Sequence, residues 1–287
     1  MTIVVAGATG LAGSAIVRAY EKTGEKVIGI NRSVCDLLDR EATIAFIKKV
    51  KPAIVVDAAA KVGGIGANNA FPVEFLADNV RIQSNLMEAA HEAEVQKFVF
   101  LGSSCIYPRD CAQPIKEEFL MTGPLESTNS AYAIAKIAGI ELVNSYRKEF
   151  GARWISLMPT NLYGKRDNFN LDTAHVLPAL IRRFVDAAET ETREVTLWGS
   201  GSPRREFLHV EDLARAILLT SSNYDSTMHL NIGTGKDLTI KELALMIAKL
   251  AGFEGQIIWD TSRPNGTPQK VLDVSKIKAL GWEPTIT

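Results

Sequence analysis

The sequence predicts an α/β protein: a Rossmann-like doubly wound parallel sheet joined to a smaller C-terminal α/β domain. Three observations lead to this prediction. A short apolar run at residues 2–6 ends in a turn that contains three glycines. Strand-like runs and helical patterns then alternate as far as residue 158, and beyond it the alternation becomes irregular. Such alternation predicts helices on both faces of a parallel sheet and a ligand site at the carboxyl ends of the strands.

Composition excludes several classes of protein. The 287 residues are 46% hydrophobic and 23% charged, with a formal charge of -1, so we expect a globular chain and no nucleic-acid partner. No apolar run reaches the ~18 residues that span a bilayer, and the start predicts a strand rather than a signal peptide. Cys35, Cys105 and Cys111 show no metal-ligand spacing, so we expect free thiols, no metal and a cytoplasmic location.

The first turn indicates dinucleotide binding. Its glycines allow a tight turn, close approach of the backbone to a diphosphate and close packing of the helical pattern at residues 14–22. The alternative is a glycine-rich turn without a ligand, but its position between a first strand and a first helix favours the nucleotide. The residues predicted to hold the diphosphate are Gly7, Ala8, Thr9, Gly10, Leu11, Ala12 and Gly13.

The second strand, at residues 26–30, indicates which dinucleotide is bound. It is followed by Asn31 and Arg32 where an NAD site usually carries Asp or Glu, and an Arg suits a 2′-phosphate. We therefore expect NADP(H), the alternative being that Arg32 is a solvated loop charge. Asp36 and Leu37 would lie near the adenine.

Later strands are expected at residues 53–56, 98–101 and 154–158, with helices at 43–50, 80–93 and 132–150. The irregular part predicts a helix at 176–188, a strand near 195–198, a strand at 205–210 that returns to the central sheet, and a helix from Asp212. We expect an NADP-binding domain at residues 1–163, with a return segment near 205–230. Residues 164–204 and 231–287 would form the substrate-binding domain.

Tyr132 and Lys136 are candidates for proton transfer. They are four residues apart on a predicted helix and therefore share a face. A nearby ammonium favours ionisation of a phenol, which would give a proton donor and acceptor usable near neutral pH. A core Tyr beneath a solvated Lys is the alternative. Ser103 emerges from the fourth strand at the ligand-binding edge of the sheet.

Ser103, Tyr132 and Lys136 together resemble the triad of short-chain dehydrogenases/reductases, and the first glycine turn resembles the extended branch of that superfamily. The resemblance implies that the Ser hydrogen-bonds the substrate oxygen and that the Tyr exchanges its proton. It also implies that the Lys lowers the Tyr pKa and holds the nicotinamide ribose.

Several longer stretches resemble the GDP-L-fucose synthase family, the GDP-4-keto-6-deoxymannose 3,5-epimerase-4-reductases, and the resemblance extends over nearly the whole chain. The stretches are AAKVGGI at 59–65, SSCIYP at 103–108, YAIAKIAG at 132–139, MPTNLYG at 158–164 and WGSG at 198–201. The resemblance implies NADPH as cofactor and a homodimer in which the helices starting near Asn79 and Tyr132 pack against their symmetry mates.

Epimerisation next to a ketone requires an acid and a base, with donors at the carbonyl oxygen. Cys105 and His175 match the two epimerisation residues of the family, and the sequence leaves open which is the acid. Without the resemblance they would be a buried thiol and a helix-start histidine. The same resemblance implies that Lys136 and His175 also bind the cofactor. It places these residues around the nicotinamide end: Leu101, Gly102, Ser103, Ser104, Pro159, Thr160, Asn161 and Leu162.

For the GDP-sugar, the resemblance implies Arg183, Trp198, Arg205, Asn265 and Lys270, with the turn at residues 263–268. Arg and Lys suit a diphosphate and a Trp face suits a base or sugar. Asn265 stands where the family commonly has Asp. Two alternatives remain: another nucleotide-sugar epimerase or reductase of the family, and a non-catalytic NADP-binding regulator. Retention of Ser103, Cys105, Tyr132, Lys136 and His175 argues against the regulator.

Overall fold

The computed structural model describes residues 1–263 and 265–286. Two sets of elements build the protein, and the strands are β1 (Thr2–Ala6), β2 (Lys26–Ile30), β3 (Ile54–Asp57), β4 (Lys97–Leu101), β5 (Ile155–Pro159), β6 (Asn161–Tyr163), β7 (Glu194–Trp198), β8 (Arg204–His209), β9 (Leu230–Ile232), β10 (Asp237–Thr239), β11 (Gln256–Asp260) and β12 (Gln269–Lys270). The α-helices are α1 (Leu11–Glu21), α2 (Arg40–Val50), α3 (Ile65–Ala70), α4 (Pro72–Glu92), α5 (Ser130–Phe150), α6 (Val176–Glu189), α7 (Val210–Asn223), α8 (Ile240–Ala251) and α9 (Ser275–Ala279).

The central sheet has six parallel strands in the order β2-β1-β3-β4-β5-β9. β3, β4 and β5 are buried along their whole length, which explains why their sequences are mainly apolar. β2 pairs with one edge of β1 and β3 pairs with the other edge, so the direction in which the chain adds strands reverses after β2. This reversal opens a crevice beyond the carboxyl ends of β1 and β3, where doubly wound sheets bind ligands.

Helices cover both faces of this sheet. α2, α4 and α5 pack side by side on one face, and α1 packs with α7 on the other. The predicted doubly wound parallel sheet is therefore confirmed. Within the described residues, no helix is both long and apolar enough to cross a bilayer.

Observed bounds lie within three residues of the predicted ones except at the start of α4, which was expected at residue 80 and lies at Pro72. Pro72 occupies the first turn, where its missing N–H costs no helical hydrogen bond. Val73, in the same turn, is 75% exposed. An exposed valine breaks the apolar periodicity that marks a core-facing helix, so the first turns of α4 were missed.

The strand at residues 205–210 does not return to the central sheet, and this prediction is wrong. β8 pairs with β10, β12 and β6 in a separate small sheet. Arg204 and Arg205 begin this strand and remain partly exposed in the small sheet, whereas a central strand covered on both faces would have to bury them. The strand that does return is β9, whose three residues are too short for a clear pattern.

A second hydrophobic core lies beneath this part of the chain. It is formed mainly by α6, β7 and α8, with Phe184 packed against Phe253 at 5.4 Å between ring centroids. β7 pairs in parallel with β11 beside it. The boundaries of a substrate-binding domain at residues 164–204 and 231–287 remain a prediction.

Candidate active site

A cavity of about 1090 Å³ opens at the carboxyl edge of the central sheet. Its walls are formed by the segments that follow β1 to β5, by α6 and by the segment around β12. Every site residue predicted from the sequence lines it except Ala8, Leu101 and Lys136. The structure therefore brings together side chains from positions 7 to 270, although the role of each remains a proposal.

The glycine turn fits a dinucleotide diphosphate. Gly7 has φ +72°, and a Cβ on Gly13 would lie 2.1 Å from the Gly7 carbonyl oxygen. Only glycine at both positions allows α1 to start this close to β1. The first turn of α1 carries no acidic residue and Gly10 caps it without a side chain, so its N–H groups can face an anion.

The turn after β2 presents the predicted 2′-phosphate side chain. Asn31 Oδ1 accepts hydrogen bonds from the N–H of Ser33 at 2.9 Å and of Val34 at 3.1 Å, which orders the turn. Arg32 and Ser33 are exposed and both line the cavity. A guanidinium and a hydroxyl on an ordered turn suit a phosphate monoester.

Ser103 and Tyr132 both line the cavity: Ser103 lies after β4, and Tyr132 lies on α5. Ser103 precedes a short 3₁₀ turn, and its Oγ accepts the N–H of Cys105 at 3.3 Å. Tyr132 lies in the first turn of α5, which the close packing of Gly139 against the Phe100 ring holds on the sheet. No hydrogen bond within the described residues uses the Tyr132 hydroxyl, so it is available to a ligand.

The structure does not support the expectation that Lys136 lowers the Tyr132 pKa. Burial raises the pKa of the Tyr132 phenol, and the nearby Cys105 and Asp57 raise it further. The Lys136 ammonium donates to the Leu101 carbonyl at 2.8 Å and lies 4.8 Å from the centroid of the Phe100 ring. Because this ammonium is directed at the end of β4, it does not contact the phenol oxygen.

Cys105, His175 and Lys270 line one cavity, and the Lys270 charge influences the pKa of both other side chains. Burial raises the pKa of the Cys105 thiol, and the Lys270 ammonium opposes that shift. Burial lowers the pKa of His175, and the same ammonium lowers it further. His175 keeps an exposed surface toward the cavity at the start of α6. Near neutral pH the pair is therefore a neutral thiol and a neutral imidazole.

The predicted GDP-sugar residues form the outer wall. Arg183 Nη1 donates to the Thr196 carbonyl at 3.2 Å, and Trp198 is 56% exposed with the Arg263 guanidinium 5.1 Å from its ring. Asn265 Oδ1 accepts the N–H of Ser200 at 2.8 Å. This amide oxygen therefore fastens the turn at 263–268 to the end of β7, although Pro264 lies outside the described residues.

Glu126 is a buried carboxylate near Arg205 and Lys270 that was not predicted from the sequence, and it forms an ion pair with Arg109 at 3.5 Å. Burial lowers the pKa of Arg205 and of Lys270, and Glu126 opposes the shift in each. Glu126 lines the cavity, and its Oε2 accepts from Thr267 Oγ1 at 3.5 Å. Glu126 Oε1 also caps the short turn at residues 127–129 by accepting the N–H of Thr128 at 3.4 Å, so its local role is that of a helix cap. Its nearness to Arg205 and Lys270 comes from the tertiary structure, and only its position six residues before Tyr132 could have indicated it.

Asp57 was also missed. It ends β3, is fully buried, and Lys136 is the charged group that influences its pKa. An acidic residue at the end of an apolar strand was a signal available in the sequence.

Residues 3–233 match the NAD dependent epimerase/dehydratase family. The chain belongs to this family, and the predicted membership of the extended short-chain dehydrogenases/reductases is confirmed.

Within the family the chain is similar to proteins named GDP-L-fucose synthase. It is 50% identical over 286 residues to the putative GDP-L-fucose synthase 2 of Arabidopsis thaliana, covering 99% of this chain and 87% of that protein. It is 46% identical over 290 residues to the GDP-L-fucose synthase of Escherichia coli strain K12, covering 98% of this chain and 90% of that protein.

A solved relative shows the same architecture. The GDP-mannoheptose C4 reductase from Campylobacter jejuni, solved with NADP bound, superposes with a TM-score of 0.91 at 36% identity. The match covers 100% of this chain and 94% of that chain.

Proposed function

We propose that the chain is an NADPH-dependent enzyme that converts GDP-4-keto-6-deoxy-D-mannose to GDP-L-fucose. The names of relatives at 46–50% identity support the substrate and the product. The observation that supports both steps is that Ser103 and Tyr132 share one cavity with Cys105 and His175. A simple reductase would need only the first pair.

In the epimerisation, Cys105 and His175 exchange protons at C3 and then at C5. One of them removes the proton next to the ketone and the other returns a proton to the opposite face. The Ser103 and Tyr132 hydroxyls donate hydrogen bonds to the C4 oxygen, where negative charge develops in the enolate. Lys270 stabilises a thiolate at Cys105 and disfavours an imidazolium at His175.

In the reduction, the same two hydroxyls hold the C4 carbonyl. When bound, NADPH supplies the hydride that reduces C4. Tyr132 then gives its proton to the C4 oxygen, and Ser103 keeps that oxygen in place. The raised pKa of Tyr132 keeps it a phenol until that point, which suits a proton donor. The glycine turn holds the cofactor diphosphate and Lys136 lies at the nicotinamide end.

Incubating the protein with NADPH and GDP-4-keto-6-deoxy-D-mannose tests the proposal. NADPH absorbance should fall in proportion to product, and NMR should show inverted configuration at C3 and C5. A reaction without the keto sugar is the control. NADPH oxidation that gives a product with unchanged C3 and C5 would contradict the epimerase step. If NADPH is not oxidised at all, the proposed enzymatic activity is wrong.

Arg32→Gln should lower the preference for NADPH over NADH, measured as the ratio of kcat/KM values, by about 10–100-fold. The reason is that a hydrogen bond to a charged group contributes about 1.5–3 kcal/mol. Arg40→Gln is the matched control, because Arg40 pairs with Glu88 on the exposed side of α2 and does not line the cavity. An unchanged ratio in Arg32→Gln would mean that other groups read the 2′-phosphate.

A related GDP-sugar reductase is the second candidate. It is favoured by the Campylobacter jejuni relative, which is named for a GDP-mannoheptose. The product analysis above separates the two, since a C4 reductase leaves C3 and C5 unchanged. A homodimer formed through α4 and α5 and a cytoplasmic location are parts of the proposal that the same assay does not address.

A further inference from the structure

Asp57 is a fully buried acid close to the site, and the mechanism above does not use it. Its side chain has no exposed surface. One carboxylate oxygen accepts the N–H of Ala59 at 3.2 Å, and the other has no hydrogen-bond partner in the described parts of the chain. A buried carboxylate is costly unless an opposite charge compensates it.

The opposite charge is the Lys136 ammonium, and the packing of α5 on the sheet brings it close to Asp57. Asp57 is paired with Phe100 in the β3–β4 register, so both side chains lie on the same face of the sheet. Gly139 packs onto the Phe100 ring, which identifies this face as the one beneath α5. Lys136 lies one turn before Gly139 and places its ammonium 4.8 Å from the Phe100 centroid. Asp57 and Lys136 therefore both lie beside the Phe100 side chain, on the face of the sheet beneath α5.

The two groups also compensate each other electrostatically. Burial raises the pKa of Asp57 to about 6, and the Lys136 charge opposes the shift. Burial lowers the pKa of Lys136, and Asp57 is the largest influence that opposes it. The other titratable groups near the ammonium are Cys105 and Tyr132, while α4 presents the neutral Gln83 amide to the Ala135 carbonyl.

We propose that Asp57 is a positioning residue for Lys136: its carboxylate keeps this buried lysine an ammonium and holds it at the carboxyl end of β4, where the nicotinamide end of the cofactor would lie. Lys136 has three N–H donors and uses one on the Leu101 carbonyl. The other two donors have no partner among the described residues, and Asp57 acts on the ammonium through its charge rather than through a hydrogen bond. A cofactor hydroxyl can accept one of these donors. The inference rests on the cofactor part of the proposed function and not on the sugar substrate.

The test measures the dissociation constant of NADPH by nucleotide fluorescence between pH 7 and 10, where the 2′-phosphate stays largely ionised. In the native protein, affinity should fall with a midpoint at the pH where Lys136 loses its proton. Asp57→Asn should move this midpoint down by about 1–3 pH units, the shift that an opposite charge at close range produces. Lys136→Met should remove the midpoint, and adding Asp57→Asn to it should change nothing further.

Two controls isolate the pair. Asp225→Asn removes an acid that pairs with Arg147 and Arg153 at the surface, and it should keep the native midpoint. Repeating the series in a Cys105→Ser background excludes titration of the thiol. An unchanged midpoint in Asp57→Asn would overturn the inference, and so would a change in NADPH affinity when Asp57→Asn is added to Lys136→Met. A native protein that binds NADPH but does not reduce the keto sugar would contradict the proposed function and leave this test intact.

A measurement on stable protein covers the case in which Asp57→Asn does not fold. With aspartate labelled at its carboxyl carbon, one NMR signal should titrate near pH 6 in the native protein. That signal should move to higher pH in Lys136→Met, because the compensating charge is gone. If no aspartate signal responds to Lys136→Met, Asp57 and Lys136 are not coupled and the inference fails.

Discussion

Tyr132→Phe is expected to lower kcat for reduction of the keto sugar by about 10²–10⁴-fold, the usual contribution of a positioned proton donor. NADPH affinity should stay within about twofold of the native value, because the substitution removes only the group that transfers the proton. The Tyr132 hydroxyl makes no hydrogen bond with the described residues, so its removal leaves no protein group unpaired. The measurement combines single-turnover NADPH oxidation with cofactor binding by fluorescence.

Tyr146→Phe is the matched control. Tyr146 lies on the same helix, but it packs against Trp154 and His91 away from the cavity. It should therefore keep native rates of reduction. If Tyr132→Phe reduced the keto sugar at a rate within tenfold of the native protein, another group would have to supply the proton at C4.

Cys105→Ser is expected to lower the rate of epimerisation by about 10²–10⁴-fold, because a hydroxyl is a far weaker acid than a thiol. Reduction should lose less than about tenfold, since the hydroxyls of Ser103 and Tyr132 are unchanged. Epimerisation is measured as deuterium uptake at C3 and C5 in heavy water, and reduction with a substrate that is already epimerised. Equal losses in both assays would remove the role assigned to Cys105.

Cys111→Ser is the control for this substitution. Cys111 is a free thiol six residues further along the chain, half-buried, and its pKa is also raised by burial. It does not line the cavity, so both rates should stay near the native values. A large loss in Cys111→Ser would indicate that any polar change in this loop disturbs the site.

The glycine turn and the Tyr132–Lys136 spacing could be predicted because each feature is contained within one short segment. Three glycines specify the approach of a helix to a strand through backbone geometry alone. A spacing of four residues places two side chains on one helical face wherever the helix lies. The same reasoning could not place the Lys136 ammonium. The carbonyl that accepts its hydrogen bond, Leu101, and the carboxylate that opposes the fall of its pKa, Asp57, come from two different strands.

Strand β8 shows the same limit at the level of the fold. Its length and position were predicted, but its partners β10, β12 and β6 are not apparent from an apolar pattern. Which sheet a strand joins depends on which edges are free after the other elements have packed.

By itself, the sequence determined the parallel α/β sheet, the glycine turn that fits a dinucleotide diphosphate and the pair of residues on α5, because these depend on local backbone geometry and periodicity. Only the tertiary structure decided that Cys105 and His175, which are distant in sequence, line one cavity, and that burial raises the Tyr132 pKa. The physical reason is that proximity and desolvation are set by packing between distant segments, and no short segment carries that information.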